Sequence, residues 1–279
     1  MEKHKRNPAV TRALIWTAVV LLLFVFAVLA PRFAPHDPYA VNLRQVTQPP
    51  SREYPFGTDY IGRCILSRLL CGAARSIFAA IPVVLITMVV GTAIGIISGY
   101  FGGTVDLLIM RFVDTVQAFP SLVFTIAVAA MLGAGMTNCI IAMSVIGWTT
   151  YARLARSQVL SLKEKTFVSA AKVSGMSDRW ILFHTLLPNS ISSVIVEASM
   201  HVGNAILSFA GLSFLGLGTM PPFPEWGNML NDGKDTLQTA PWTVIFPGVA
   251  ILLVVMIMGM FGDSINAVFN PRKRSDKNQ

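Results

Sequence analysis

Six stretches of the chain, residues 13–30, 77–97, 113–132, 139–154, 191–215 and 244–261, are apolar over most of the length needed to cross a bilayer. A hydrocarbon core takes roughly 20 such residues in a helix, and a helix is the form in which one segment satisfies its own backbone polar groups in lipid. The pattern predicts an all-α membrane protein with six transmembrane helices, residues 139–154 being the weakest, and both termini on one side. Composition excludes a soluble domain of this length: the 279 residues are 53% hydrophobic and 13% charged, with a mean hydropathy of +0.60. The first run follows Lys3, Lys5 and Arg6 as a secretory leader would. It is too long for a leader core, however, and Pro31 after Ala30 disfavours cleavage, so it reads as a retained helix.

With the N-terminus inside, 15 of the 22 Lys and Arg fall on the inner side and seven, from Arg32 to Arg75 and at Lys234, on the outer. That asymmetry predicts cytoplasmic termini. It also accounts for the net charge of +8 without nucleic acid, for which basic and aromatic residues would have to be interleaved. Cys64, Cys71 and Cys139 make no CxxC pair. On a helix Cys64 and Cys71 would lie about 10 Å apart, beyond disulfide reach. There is no GxxxxGK[ST], HExxH or GxSxG motif, which removes the commonest nucleotide-binding, zinc-protease and serine-hydrolase readings. Any energised work must then draw on another polypeptide.

The chain divides into a first helix with an outer loop (1–75), a five-helix core (76–265) and a basic tail (266–279). The proline-rich stretch after Pro31 predicts an ordered loop followed by an amphipathic helix that enters the second span. Gly91 and Gly95 form a GxxxG pair that permits close helix contact. Arg111 and Asp114 are spaced to pair on one helix face, and Pro120 should bend the third span. Residues 216–242, with Pro221, Pro222, Pro224 and Pro241, predict a short external cap.

The polar, helix-like stretch at 163–189, within a cytoplasmic loop at 157–189, separates two apolar runs and is the place for a soluble partner to grip. Ala170 and Ala171 are small enough for close approach, Gly175 suits a left-handed corner, Ser177 can cap a second helix, and Leu187-Pro188 should close it. In the fifth span Glu197 and His201 are four apart on one face, with Asn204 beyond them. Intramembrane ionisable groups are costly and usually face a bundle interior or a wet path. A mutual hydrogen bond is the plainer reading of the Glu197 and His201 pair; contact with a polar or cationic substrate is the other.

Three stretches together resemble the permease subunit of bacterial ATP-binding-cassette importers of dipeptides, oligopeptides and nickel. They are Phe56-Gly57-Thr58-Asp59-Tyr60-Ile61-Gly62-Arg63 with Ser67-Arg68-Leu69-Leu70 and Gly72 to Ser76, the EAA-like segment 168–189, and Gly211-Leu212-Ser213-Phe214-Leu215-Gly216-Leu217-Gly218 with Glu225-Trp226-Gly227 and Ala240-Pro241-Trp242. Ser169 stands where that family has glutamate, and Cys64 where it has aspartate. The resemblance implies a MetI-like bundle whose coupling helix, carried by Ser169, Ala170, Ala171, Gly175, Asp178, Leu187 and Pro188, docks on an ATPase. It further implies a second homologous permease, two ABC ATPase subunits that hold ATP and Mg, and an extracytoplasmic solute-binding protein received by 54–75 and 221–242. The location would be the bacterial cytoplasmic membrane, in contact with its lipid, with no cofactor or metal on this chain. Di- or oligopeptides are the expected cargo and nickel the alternative. A non-transport sensor or enzyme, with Glu197 and His201 as acid and base, is the remaining class; no nucleophile is arranged with them.

Overall fold

The computed structural model describes residues 8–269. Helix α1 (Pro8–Leu29) tightens into a 3-10 turn at Ala30–Phe33, where Pro31 lacks the N–H that an α-helix would use. After the proline-rich loop, α2 (Ile65–Phe78) runs on into α3 (Ala80–Phe101) as one 37-residue helical stretch. Then follow α4 (Gly103–Gln117), α5 (Ser121–Leu132), α6 (Met136–Lys163), α7 (Thr166–Val173) and α8 (Asp178–Trp180). A π-helical turn (Ile181–Leu186) leads into α9 (Leu187–Phe214), and α10 (Trp226–Gly233) and α11 (Trp242–Phe269) complete the chain. Among the described residues there is no strand, only an isolated bridge between Thr58 and Cys64.

Among the described residues, four helical stretches are long and apolar enough to cross a membrane: Pro8–Phe33, Ile65–Phe101, Asp178–Phe214 and Trp242–Phe269. The α4 and α5 pair makes a fifth if it is counted as one span, bent by 86°. The remaining expected span lies in α6, which is 28 residues long but carries Arg153, Arg156 and Lys163 in its second half. Large apolar side chains such as Leu22, Val89 and Leu252 remain exposed on α1, α3 and α11, as a lipid-facing surface requires.

The centre of the bundle is the contact of α3 with α6, on which α9 packs; α11 lies on α9, and α1 on α11. A Cβ at Gly91 would stand 2.2 Å from the Trp148 carbonyl oxygen, and one at Gly95 2.2 Å from that of Ala152. The GxxxG pair is therefore what lets the two backbones meet. One apolar core joins Ile77, Val83, Ile206, Phe209 and Met258. A smaller one at the α7 end joins Ile96, Tyr100, Val159, Val168 and Ile181.

Several local expectations change. Pro120 does bend the third span, by 86°, but as a full break before α5 and not as a kink in a continuous helix. Asp114 pairs with Arg153 at 2.8 Å and not with Arg111, because α4 lies along α6. The same contact brings Arg156 onto Asp106, its Nη2 donating at 2.6 Å. Leu187-Pro188 does not close a helix: Asp178–Phe214 is one stretch of 37 residues. Proline is tolerated there because it sits in the first turn of α9, after a π-helical turn has shifted the hydrogen-bond pattern. The Asn189 amide then donates to the Thr185 carbonyl at 2.6 Å, and the Ser190 hydroxyl to that of Leu186 at 2.7 Å. The loop expected at 157–189 is helical through Lys163 and again from Asp178. Of the tail at 266–279, residues 266–269 belong to α11 and the rest lies outside the described residues.

Candidate transport site

Gly57, Thr58, Asp59, Gly62 and Arg63 form a tight loop at the α10 end. The Asp59 N–H bonds the Arg63 carbonyl at 3.0 Å, and Gly62 sits at φ +81°, where a Cβ would fall 1.9 Å from the Asn42 oxygen. Only glycine fits there. The Asp59 carboxylate accepts from the backbone N–H groups of Ile61 and Arg63, at 3.1 and 2.9 Å, and from Arg63 Nε at 2.6 Å. Arg63 also reaches Asp232 on α10 at 2.9 Å. Arg68, only 2% exposed, lies between the two carboxylates, 3.7 Å from Asp59 and 3.5 Å from Asp232. Two arginines and two aspartates thus neutralise one another in a largely dry place.

Beside this network Glu225, fully buried, caps α10 by accepting from the N–H groups of Gly227 and Asn228 at 2.9 and 3.0 Å. The Ser76 hydroxyl donates to it at 2.9 Å. Burial pushes its carboxyl above the ordinary range, against those hydrogen bonds. The Trp242 indole donates to the Thr58 carbonyl at 3.3 Å, and that of Trp226 to Leu69 at 2.9 Å. Thr58, Asp59, Arg63 and Glu225 are therefore inside the cap, tying it together, and do not form its outer surface.

A cavity of 520 Å³ lies between α3, α5, α6 and α9. His201 and Asn204 line it; Glu197 does not, but stands 3.2 Å from His201 Nε2. The Tyr151 ring meets the imidazole edge-on at 5.3 Å between centroids. Glu197 and Tyr151 thus orient His201, while Asn204 is exposed. The break at Pro120 forms the opposite wall, through Gln117, Phe119, Ser121 and Thr125, and Gln117 donates to Thr149 at 3.1 Å. The lining mixes hydroxyls, amides and an imidazole with apolar side chains, so it can solvate a polar solute without a fixed charge of its own.

At the other end, α7 turns Val168 and Ala171 inward and leaves Ser169 and Ala170 exposed. Gly175 takes φ +75° and its N–H bonds the Lys172 carbonyl at 3.0 Å, making the expected corner. The Ser177 hydroxyl accepts from the Trp180 N–H at 3.3 Å, making the expected cap. Asp178 turns back to the bundle, where its carboxylate accepts from the Tyr100 hydroxyl. Lys163 donates to the Tyr100 carbonyl at 2.7 Å, and the Lys172 ammonium stands 5.1 Å over the ring. Leu187 is half-buried and Pro188 exposed. Val173 is 89% exposed, with Phe167 and Met176 also open. Sequence reading passed over Tyr100, Lys163 and Lys172; the tyrosine two residues before Gly102-Gly103, at the end of an apolar run, was the available signal. It also passed over Asp232, 164 positions from Arg68, for which no local signal exists.

Residues 91–275 match the family described as binding-protein-dependent transport system inner membrane component, and residues 5–50 match the N-terminal TM domain of oligopeptide transport permease C. The chain belongs to the binding-protein-dependent transport system inner membrane component family. It is 40% identical over 263 residues to the dipeptide transport system permease protein DppC of Alkalihalophilus pseudofirmus, covering 94% of this chain and 86% of that one. It is also 40% identical over 257 residues to the glutathione transport system permease protein GsiD of Pectobacterium atrosepticum, covering 92% and 85%. A probable D,D-dipeptide transport system permease protein, DdpC of Escherichia coli K12, is 40% identical over 269 residues, covering 96% and 89%. Among solved structures, the inward-facing MetNI methionine ABC transporter aligns with a TM-score of 0.54 over 70% of this chain and 95% of that one. At 14% identity that likeness shows the fold alone. The chain is a MetI-like helical permease.

Proposed function

We propose that this chain forms one half of the translocation path of an ATP-driven importer for di- or oligopeptides. The observation that carries the reading is the set of relatives at 40% identity, named for dipeptides, D,D-dipeptides and glutathione, each aligned over more than nine-tenths of the chain. The 520 Å³ cavity supports it, falling within the roughly 300–1,000 Å³ of ordinary small-molecule sites and offering polar groups of both donor and acceptor type. His201 and Asn204 are its assigned contacts for a peptide's amide and carbonyl groups, with Glu197 holding the imidazole. Nickel is the weaker cargo, since these relatives are named for dipeptides, D,D-dipeptides and glutathione.

The remaining parts follow the family's plan. A second homologous permease completes the path, and two ABC ATPases supply the energy with their own ATP and Mg. An extracytoplasmic binding protein delivers cargo at the α10 end, and closure of the ATPases rocks the two bundles between inward-open and outward-open states. The Lys and Arg asymmetry supports a cytoplasmic side for the α7 end and both termini. There the exposed Val173, Phe167, Met176, Ser169 and Ala170 offer a small, partly apolar docking face, while Asp178 and Leu187 transmit its displacement to α3 and α9.

Uptake of a labelled dipeptide and of labelled nickel, in cells with and without this chain, tests the reading. Loss of dipeptide uptake alone is expected. Loss of nickel uptake with peptide uptake intact would replace it by the metal branch.

A further inference from the structure

A second cavity, of 380 Å³, lies between α3 and the π-helical turn. Its character is opposite to the first. Apart from Thr92 its wall is apolar, with Met88, Val89, Ile97, Phe183 and Ile191 among its residues. It is open at the surface, where Val89, Ile97 and Phe183 are exposed. On α3 the first cavity takes Val83, Val84 and Thr87, and this groove begins at Met88, so it occupies the flank turned away from the translocation path.

Cations stand at the α7 end of the groove. Ile96 and Ile97 are one helical turn from Tyr100, over whose ring the Lys172 and Lys163 ammoniums lie at 5.1 and 5.9 Å. Arg179 is one turn from Leu182 and Phe183 on the same helical stretch. Among the described residues, neither Lys172 nor Arg179 has a carboxylate within 4.0 Å, whereas Arg63, Arg68, Arg153 and Arg156 all do. An apolar slot ending in cations that make no direct ion pair, with Asp178 held by the Tyr100 hydroxyl, matches one molecule of the membrane: an acyl chain with an anionic head. A helix of a neighbouring subunit could fill the slot but would leave the cations unpaired.

We propose that the groove is a binding site for a single anionic phospholipid, its acyl chain along Ile97 and Phe183 and its phosphate at Lys172 and Arg179. The site is independent of the cargo. A bound lipid there would bridge α3 and the π-helical turn beside the coupling segment.

The test uses the full chain in its native complex, reconstituted with a phosphatidylglycerol that carries a photoreactive acyl chain. Labelling is expected within residues 88–97 and 182–191. Unlabelled phosphatidylglycerol should compete better than phosphatidylcholine by about fivefold for each basic residue at the head. K172Q and R179Q should each remove about one such factor while acyl labelling persists. A93W, placed at an exposed lining position, should abolish labelling. Labelling elsewhere, equal competition by the two lipids, or capture of a neighbouring subunit by a photoreactive side chain at position 97 would overturn the proposal. The competition on the unaltered protein decides it even if A93W does not fold.

Discussion

The two ends of the bundle both carry charged side chains and left-handed glycines, and they use them in opposite ways. At the α10 end, Asp59, Arg63, Arg68 and Asp232 are largely buried and consume one another's charge. At the α7 end, Lys163 and Lys172 gather on a single tyrosine, and the short helix beside them exposes Val173 at 89%. Gly62 is wedged against a carbonyl; Gly175 has no atom within 4 Å of where its Cβ would be. The first end resists deformation, since any opening would strand charges in a poor solvent. The second is held by few contacts and offers a surface. If the chain is driven from one side, as proposed above, it needs that inequality.

The comparison can be broken in graded steps. Arg68→Met leaves two aspartates facing Arg63 alone and should cost about 3–5 kcal/mol, read as a fall in the unfolding midpoint of the purified complex. Gly62→Ala meets both an unfavourable φ and the Asn42 carbonyl, and should cost about 3 kcal/mol. Gly175→Ala, with similar φ but open space, should cost about 1 kcal/mol; equal losses at the two glycines would refute the contrast. At the same corner Gly175→Pro forces φ to the opposite sign and removes the N–H bonded to Lys172. It should abolish substrate-stimulated ATP hydrolysis in proteoliposomes while membrane insertion stays normal.

A smaller effect is expected from pH. Because burial raises the Glu225 carboxyl, the folded protein keeps that proton longer than the unfolded chain does. Its contribution to stability is whole below the usual glutamate pKa and declines as pH rises from there through the raised folded value. E225Q should flatten that slope. Smallest of all, Arg153→Ala removes an ion pair whose members are 52% and 58% exposed, and should shift stability by less than about 1 kcal/mol.

What could be read from the sequence was local. The membrane-length runs, the Gly91 and Gly95 pair, the corner at Gly175 and the cap at Ser177 each depend on neighbours within a turn or two. The i, i+4 spacing of Glu197 and His201 likewise gave their contact at 3.2 Å. Expectations failed where a distant element competed. Asp114 had Arg111 within reach along its helix, but α6 presented Arg153 to it. Pro188 was expected to end a helix and instead sits in the first turn of one, because the π-helical turn before it is not encoded by any residue type. The roles of Asp232 and Tyr100 were illegible, since both depend on partners brought together by the fold.

The break at Pro120 has a consequence for how such a protein can change over generations. The first N–H groups of α5 have no acceptor within the helix, and they lie beside Phe119, Ser121 and Leu122 on the cavity wall. Those donors belong to the main chain. On the proposed reading of the cavity as the cargo path, mutation can exchange every side chain around the break, and with them the preferred cargo, while its peptide groups are inherited unaltered. A lineage can therefore move from one small polar solute to another without rebuilding the wall.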